Sequence, residues 1–305
     1  MQEFKLNTPV AFIIFNRPDT TARVFAEIAK AKPPKLLVVA DGARANKQGE
    51  AEKVAATRAI IDKVDWPCEV LINYSDINLG CKNRVSSGID WVFEQVPEAI
   101  ILEDDCLPDP SFFRFCEEML VKYRDDQRIG MISGDNFQFG CKRGEASYYF
   151  SRFTHIWGWA SWRRAWQFSD KNIAIWIEFR DNYWQLSSVS SKAEFDYWTK
   201  TFQTVYDSKI DTCWDYQWTL VNWSQSMMTI LPNTNLISNI GFGADATHTH
   251  GASIYANLKT TAIDFPLIHP KAVISHHKAD AFTAKGMFTT SLTSKLINKL
   301  KAFVN

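Results

Sequence analysis

The sequence has no excess charge of either sign. Its 305 residues contain 34 lysines and arginines and 34 aspartates and glutamates, so the formal net charge is zero. A protein that grips nucleic-acid phosphates needs a concentration of positive charge. We therefore expect no nucleic-acid partner.

The sequence also lacks two common cysteine and apolar patterns. None of its six cysteines forms a C-x-x-C pair, which argues against a zinc knuckle or a thioredoxin-type site. No apolar run reaches the roughly 18 residues of a membrane-spanning helix. The first residues, MQEFKLNTPV, lack the apolar core of a signal peptide. We expect a cytoplasmic protein with reduced thiols.

The C-terminal 15 residues, 291–305, have a basic amphipathic pattern. Apolar and basic residues alternate there with helical spacing: Leu292, Leu296, Ile297, Leu300 and Phe303 share one face, and Lys295, Lys299 and Lys301 surround it. Such a helix is typical of a peripheral contact with the inner face of a membrane. The alternative is an ordinary terminal helix docked on the domain.

Strand and helix signals alternate through the first half. Strands are predicted at 10–15, 36–40, 69–73 and 99–102, all but the third as buried strands, and helices at 19–31, 50–64, 82–95 and from 110 onward. Asp19 or Thr20 is the expected cap of the first helix. Repeated strand-helix-strand units predict an α/β fold, a doubly wound and mainly parallel sheet flanked by helices. In such sheets ligands bind at the carboxyl ends of the strands.

The strongest functional signal is Glu103-Asp104-Asp105, directly after the apolar run Ala99 to Leu102. Three adjacent carboxylates at a buried strand end repel one another and lose hydration. A hard cation relieves both costs, and Mn²⁺ or Mg²⁺ prefers carboxylate oxygens. The triplet therefore predicts a metal site, with an acidic loop that caps the following helix as the alternative.

Polar residues also follow the first two strands and precede the fourth. Arg17 can reach a base or a phosphate, and Asp41 can accept from a base or a ribose hydroxyl. Lys82 and Arg84 lie at the start of the helix before the acidic strand and are further candidate donor contacts. Solvated turn and helix-start residues are the alternative for all four.

These motifs resemble the GT-A glycosyltransferases, and within them N-acetylglucosaminyltransferase I and its relatives. The similarity rests on ILEDDCLPDPSFFRF and on the preceding NLGCKNRVSSGIDWVFE. It covers about 9 to 135 well and about 150 to 250 more loosely. The resemblance implies a nucleotide-sugar donor, with UDP the expected nucleotide, and an inverting transfer. It also implies that Asp105 holds the metal and that Glu103 and Asp104 contact the donor.

The second half is rich in aromatic residues, and most of the twelve tryptophans lie between Trp157 and Trp223. FTHIWGWASW resembles the family's glycine-aromatic loop beneath donor and acceptor, although buried core is the favoured interpretation of any single tryptophan there. Trp214-Asp215-Tyr216-Gln217-Trp218 resembles the segment that carries the general base, which implies this role for Asp215. The rings of Trp214, Tyr216 and Trp218 are expected to surround its carboxylate with apolar faces. Asp135 and Asp211 are alternative bases, and a helix cap is the alternative role of Asp215.

A pair of histidines, His248 and His250, follows Gly241-Phe242-Gly243. Many GT-A enzymes use a late histidine on the metal or phosphate, which implies His250 as a metal contact. The expected organisation is one catalytic domain, 1–290, with a nucleotide-sugar-binding half at 9–135 and an acceptor-side half at 136–275.

The predicted reaction is metal-dependent transfer of a sugar from a nucleoside diphosphate sugar to a hydroxyl of a carbohydrate or lipid-linked acceptor. A nucleotidyltransferase is the alternative enzyme, although NRPDTTARV is not the Gly-rich basic loop that such enzymes carry after the first strand. A non-catalytic carbohydrate- or partner-binding protein is the alternative from another class.

Overall fold

The computed structural model describes residues 4–208, 213–242 and 254–288. Strands within these residues are β1 Val10–Ile14, β2 Lys35–Ala40, β3 Glu69–Tyr74, β4 Glu98–Glu103, β5 Cys106–Pro108, β6 Ile129–Ser133, β7 Tyr148–Ser151, β8 Trp159–Trp162, β9 Met228–Pro232 and β10 Ile237–Asn239. Helices are α1 Pro18–Ala31, α2 Glu50–Arg58, α3 Cys81–Gln95, α4 Ser111–Lys122, α5 Arg163–Trp166, α6 Trp176–Asp181, α7 Lys192–Ser208, α8 Asp215–Ser224 and α9 His277–Met287. Short 3-10 helices cover Ala59–Lys63 and Trp184–Ser188.

Eight strands form one central sheet in the order β3-β2-β1-β4-β8-β6-β9-β7. The first four are parallel, as the repeated strand-helix-strand pattern predicts. Beyond β4 the sheet is mixed, because β8 is antiparallel to both β4 and β6, and β7 is antiparallel to β9. The predicted α/β class is therefore confirmed, and its parallel character belongs to the first half of the chain.

The apolar strands are buried on both faces, as their continuous runs predict. Alternate residues of β1 enter different cores: Val10, Phe12 and Ile14 pack on one side of the sheet, and Ala11 and Ile13 on the other. β1 is therefore apolar at every position, whereas β3, at the edge of the sheet, is partly exposed and carries Glu69 and Asn73.

Helix starts differ from the expectation in one place. α1 begins at Pro18, with Arg17 as the residue before it and no side-chain cap, so neither Asp19 nor Thr20 caps the helix. Proline is favoured at the first helical position because its φ suits the helix and its missing N–H has no helical partner there. α4 begins at Ser111, and its cap position, Pro110, has no side-chain cap; one residue earlier, Asp109 Oδ1 accepts from the Ser111 backbone N–H over 2.9 Å.

Most tryptophans of the second half belong to the core. Trp159, Trp166, Trp214 and Trp218 lie together on one face of the sheet, with ring centroids of Trp166 and Trp218 4.9 Å apart. The buried interpretation of the cluster is therefore confirmed for these rings.

A two-stranded antiparallel ribbon, β5 with β10, follows the acidic strand end directly. It carries the chain after β10 back to the site, where the Ile240 N–H donates to the Asp105 carbonyl oxygen over 2.8 Å. The ribbon thus brings Ile240 and Gly241 next to Asp105, although they lie far from it in the sequence.

No helix in the described ranges is long and apolar enough to cross a membrane. His248, His250, Asp211 and the C-terminal segment 291–305 lie outside the described residues.

Candidate active site

The acidic triplet lies at the end of β4, beside the residues that follow β1. In the parallel register Ile13 pairs with Glu103, which brings Arg17 to the carboxylates. Arg17 Nη1 donates to Asp105 Oδ2 over 2.9 Å, and its Nη2 donates to Asp104 Oδ1. The backbone N–H of Phe15 donates to Asp104 Oδ2 over 3.2 Å. One arginine therefore bridges two of the three acids.

The third acid is left without such a partner. Glu103 Oε1 is buried and accepts no hydrogen bond from any described residue. Burial, and then the charges of Asp105 and Asp104, raise the pKa of Glu103 to about 8. Burial also raises the pKa of Asp104 to about 6, against the opposing effect of Arg17. The site therefore retains an unsatisfied acceptor and a shortage of positive charge.

The residues present fit a hard cation that is held mainly by its substrate. No group of three or more His, Cys, Asp and Glu side chains within the described ranges is arranged to hold a metal. Mg²⁺, however, commonly takes only one or two protein carboxylates and completes its shell with substrate phosphates and water. Asp105 has an oxygen for this purpose, since the one donor to Oδ1 among the described residues is the weak donor Cys106 Sγ at 3.5 Å.

Gly241 lies directly against this ion pair. A Cβ atom at position 241 would be 2.1 Å from Asp105 Oδ2 and 2.6 Å from Arg17 Nη1, far inside contact distance. Only glycine leaves room for the pair as it stands. Sequence reasoning did not identify Gly241 as a site residue, although the Gly-Phe-Gly pattern there was a signal.

Asp41 and Arg84 form hydrogen bonds that hold the ends of the neighbouring strands β2 and β3 and the loop before α3. The Asp41 carboxylate accepts from the N–H groups of Gly42, Leu79 and Gly80 over 2.9, 2.9 and 3.1 Å, and from Asn78 Nδ2 over 3.0 Å. Both of its oxygens are therefore already committed to the loop before α3.

Arg84 is buried at the same sheet edge. Its Nε donates to the Ala40 carbonyl over 3.1 Å, and its Nη2 donates to both oxygens of Asn73. The guanidinium thereby ties the end of β2 to the end of β3. This geometry indicates that Arg84 positions the ends of β2 and β3. The predicted contact of Arg84 with the donor stays a prediction.

Lys82 differs from these two residues. It lies in the first turn of α3, is 5% exposed, and forms no hydrogen bond or ion pair with any described residue. The helix start has no side-chain cap, so its N–H groups and the lysine provide positive charge at one place. This combination favours an anionic ligand group.

Asp215 is the first residue of α8 and lines a cavity of about 310 Å³. The residue before the helix is Trp214, which makes no side-chain cap, and Asp215 follows it inside the helix. The alternative role of Asp215 as the helix cap is therefore wrong. The cavity adjoins the acidic site, because the ring of its lining residue Trp157 lies 5.6 Å from the ring of Phe242, which follows Gly241 beside Asp105.

The walls of this cavity differ from the expectation. Trp214 and Trp218 are 4% and 1% exposed and pack in the tryptophan core, so they do not enclose Asp215 as the sequence suggested. Tyr216, between them, does line the cavity. Successive helical positions point in different directions, which separates the tyrosine from its two neighbours.

A second carboxylate, Asp135, lines the same cavity. It is 1% exposed; Oδ2 accepts from the Trp157 N–H over 3.1 Å, whereas Oδ1 is buried without a partner among the described residues. Burial raises the pKa of Asp135 well above its ordinary value. Burial likewise lowers the pKa of His155, another lining residue, to about 3. Both side chains therefore favour their neutral forms.

No family model matches the chain, and no curated protein matches it. Solved structures that resemble it include a cytidylyltransferase from Leptospira borgpetersenii serovar Hardjo-bovis, with 11% identity, a TM-score of 0.32, and coverage of 53% of this chain and 63% of that chain. A UDP-glucose pyrophosphorylase in complex with UDP-glucose has 12% identity, a TM-score of 0.25, and coverage of 48% and 62%. The inositol-1-phosphate CTP transferase from T. maritima has 8% identity, a TM-score of 0.36, and coverage of 74% and 86%.

All three are nucleotidyl-transferring enzymes by their descriptions, and the chain spans less than two thirds of the first two. No activity or residue role of this chain follows from similarity at this level. None of the three is an N-acetylglucosaminyltransferase, so the resemblance to that family stays a prediction.

Proposed function

We propose that this chain is a metal-dependent glycosyltransferase that moves a sugar from a nucleoside diphosphate sugar, with UDP the first candidate nucleotide, to a hydroxyl of a carbohydrate or lipid-linked acceptor. One observation carries the proposal. A strand end with three carboxylates adjoins a cavity that two further carboxylates and many aromatic rings line. A donor and an acceptor can therefore meet between the two.

We assign the residues that bind the donor by asking which polar side chains of the site have atoms without a strong hydrogen-bond partner among the described residues. Asp105 offers Oδ1 to Mn²⁺ or Mg²⁺, which when bound offsets the negative charge of the departing diphosphate. Glu103 offers the unpartnered Oε1 to a ribose hydroxyl. Lys82 and the start of α3 offer positive charge to the diphosphate.

The acceptor side is assigned to Asp215. In an inverting transfer the acceptor oxygen attacks the anomeric carbon on the face opposite the diphosphate. The bond from that carbon to the diphosphate oxygen breaks, and the acceptor proton passes to a base. Asp215 lines the cavity beside the acidic site, which suits this role. His250 remains a proposed metal contact from the family resemblance.

The second candidate is nucleotidyl transfer, the activity that the descriptions of the resembling structures share. Such an enzyme must neutralise a nucleoside triphosphate beside the first strand. Here the arginine after β1 is already held by Asp104 and Asp105, and no glycine-rich basic loop precedes it. This arrangement favours glycosyl transfer.

A single assay format separates the candidates. Nucleotide sugars are incubated with Mn²⁺, and release of nucleoside diphosphate is measured; nucleoside triphosphates with sugar phosphates are incubated in parallel, and release of pyrophosphate is measured. Metal-dependent diphosphate release from a sugar nucleotide supports the proposal. Pyrophosphate release alone would replace it with nucleotidyl transfer. If UDP fails to bind in the presence of Mn²⁺ and neither product forms, a non-catalytic binding protein is indicated.

A further inference from the structure

Two buried polar groups of opposite polarity belong to residues that line the cavity beside Asp215. Asp135 Oδ1 is an acceptor without a donor, and Trp198 Nε1 is a donor without an acceptor, among the described residues. A buried group left unpaired costs about 1–3 kcal/mol. A ligand that supplies one donor and one acceptor removes both costs.

The remaining wall of the cavity is largely aromatic. Six rings besides Trp198 line it: Phe137, Trp157, Tyr197, Tyr216, Tyr255 and Phe288. Their faces and edges pack around one another, as in the edge-on contact between Phe137 and Trp157 at 5.3 Å. Such a surface suits a flat apolar face of a ligand. The cavity of about 310 Å³ lies near the small end of ligand pockets, which favours a ligand of about one ring.

We infer that this cavity binds one pyranose ring, with Asp135 Oδ1 accepting a hydrogen bond from a sugar hydroxyl and Trp198 Nε1 donating one to a sugar oxygen. A pyranose combines hydroxyls that donate and accept with an apolar C–H face. The inference deepens the proposed function and rests on it for the reaction that the bound sugar enters.

Other ligand classes satisfy only part of this arrangement. A hydrocarbon leaves both polar groups unpaired. A quaternary ammonium matches a carboxylate and aromatic rings, but it offers nothing to Trp198 Nε1. An anion such as phosphate meets no lysine or arginine among the described residues that line the cavity.

The neighbouring titratable groups agree with a neutral ligand. His155 faces Phe137 at 4.7 Å between ring centroids, and burial keeps its ring neutral. Asp215, on α8, lines the same cavity as Asp135, so a pyranose between them would have two carboxylates as acceptors.

The test is a binding titration with the full chain and no nucleotide present. The probes are the methyl pyranosides of glucose, galactose, mannose and N-acetylglucosamine, and their binding is measured by saturation-transfer NMR. Tetramethylammonium is the cationic comparison. We expect at least one pyranoside to bind, and Asp135→Asn to weaken that binding by about tenfold or more. Trp198→Phe, which keeps a ring but removes the donor, should weaken it by a similar factor.

Trp218→Phe is the matched control, because Trp218 Nε1 is also buried and unpartnered but the residue does not line the cavity. It should leave saccharide binding unchanged, and melting temperatures of all variants check that each is folded. The same variants are titrated with UDP and with UDP-sugars in the presence of Mn²⁺. A loss confined to UDP-sugars assigns the ring to the donor, and a loss confined to free pyranosides assigns it to the acceptor.

The inference fails if only tetramethylammonium binds, if no sugar binds in either format, or if folded Asp135→Asn and Trp198→Phe bind sugars like the parent. Failure of the proposed function is distinguishable, because free pyranosides are titrated without nucleotide. Saccharide binding that Asp135→Asn weakens, together with the absence of transfer, would retain the cavity assignment and end the glycosyltransferase proposal.

Discussion

Arg17 holds Asp105 by a hydrogen bond of 2.9 Å from Nη1 to Oδ2, across 88 positions of sequence. The pair satisfies one oxygen of a carboxylate that we assign to the metal and leaves the other oxygen available. Because Arg17 also binds Asp104, it supplies the positive charge that keeps these two acids together without a cation. The site is therefore arranged before any ligand arrives.

The first prediction concerns Asp105→Ala. We expect it to abolish Mn²⁺-dependent binding of UDP, because the carboxylate that we assign to the metal is removed, while the fold persists. Arg17 retains Asp104 as its partner, and the remaining acids repel less. Calorimetric titration with UDP and Mn²⁺, together with the melting temperature, measures both effects.

Asp76→Ala is the control, since Asp76 is an exposed loop residue and is not one of the acids that Arg17 binds. It should bind like the parent. Parental affinity in a folded Asp105→Ala variant would remove Asp105 from the metal site.

The second prediction concerns Gly241→Ala. Its added methyl group would overlap Asp105 Oδ2 and Arg17 Nη1, so the ion pair must move. We expect UDP affinity with Mn²⁺ to fall by about tenfold or more, and stability to fall by about 1–3 kcal/mol, the usual cost of overpacking. Titration and urea denaturation are the measurements.

Gly144→Ala provides the comparison, because a Cβ there meets nothing within 4 Å although the backbone φ is +80°. It strains an exposed loop without touching the site. Donor affinity should be unchanged in that variant, and equal affinity in Gly241→Ala would show that position 241 does not constrain the ion pair.

The third prediction concerns pH and His155. Burial lowers the pKa of this ring to about 3 from an ordinary value of 6.5, so the unfolded chain binds the proton more tightly than the folded protein does. The neutral ring's contribution to stability is present above pH 6.5 and is lost as pH falls toward 3, by up to about 1.4 kcal/mol per unit. His155→Gln removes this loss.

Urea denaturation at pH values of about 7.5 and about 4.5 measures the effect as a difference between variant and parent. We expect the stability deficit of His155→Gln to be smaller at the lower pH, with the exposed His277→Gln as control. A deficit that does not change with pH would mean that the ring titrates normally in the folded protein.

The features that depend on residues close together in the sequence could be predicted from it. An apolar run followed by Glu103-Asp104-Asp105 identifies a buried strand with an acidic end, and strand order then brings Arg17 to the same edge. The ion pair itself was not predictable, since it depends on side-chain directions across two strands. Gly241 could not be predicted as a site residue for the same reason. The need for glycine there comes from contact with Asp105, which is far away in the sequence.

The second half was harder to predict. β8 lies antiparallel between β4 and β6 in the sheet. The sequence around β8 has no alternation of strand and helix signals that would predict this strand. Asp135, within Ser-Gly-Asp-Asn, reads as a turn residue, and only the fold buries it beside the cavity. The ring of Trp214 was expected to cover Asp215, but it packs with Trp159, Trp166 and Trp218 in the core.

The fourth prediction concerns membrane contact through 291–305. The apolar face and lysines of this segment predict weak binding to anionic vesicles. Cosedimentation of the full chain is compared with that of a chain ending at Phe288, a residue that must stay because its ring packs on Trp198 at 4.7 Å. We expect the shorter chain to pellet less, and equal pelleting would end the proposal.

The last prediction is that Asp215→Asn lowers turnover by about 10²–10⁴-fold while donor affinity is kept, as loss of a general base requires. The variant should also keep its melting temperature, because Trp214 rather than Asp215 occupies the cap position of α8. Transfer rate, UDP-sugar affinity and thermal unfolding are measured on one preparation. Asp196→Asn is the control, since Asp196 is half-exposed on α7 and pairs only with Lys192 one turn away. Near-parental transfer by a folded Asp215→Asn would exclude it as the base, and Asp135, the other carboxylate of the cavity, would then be tested in the same way.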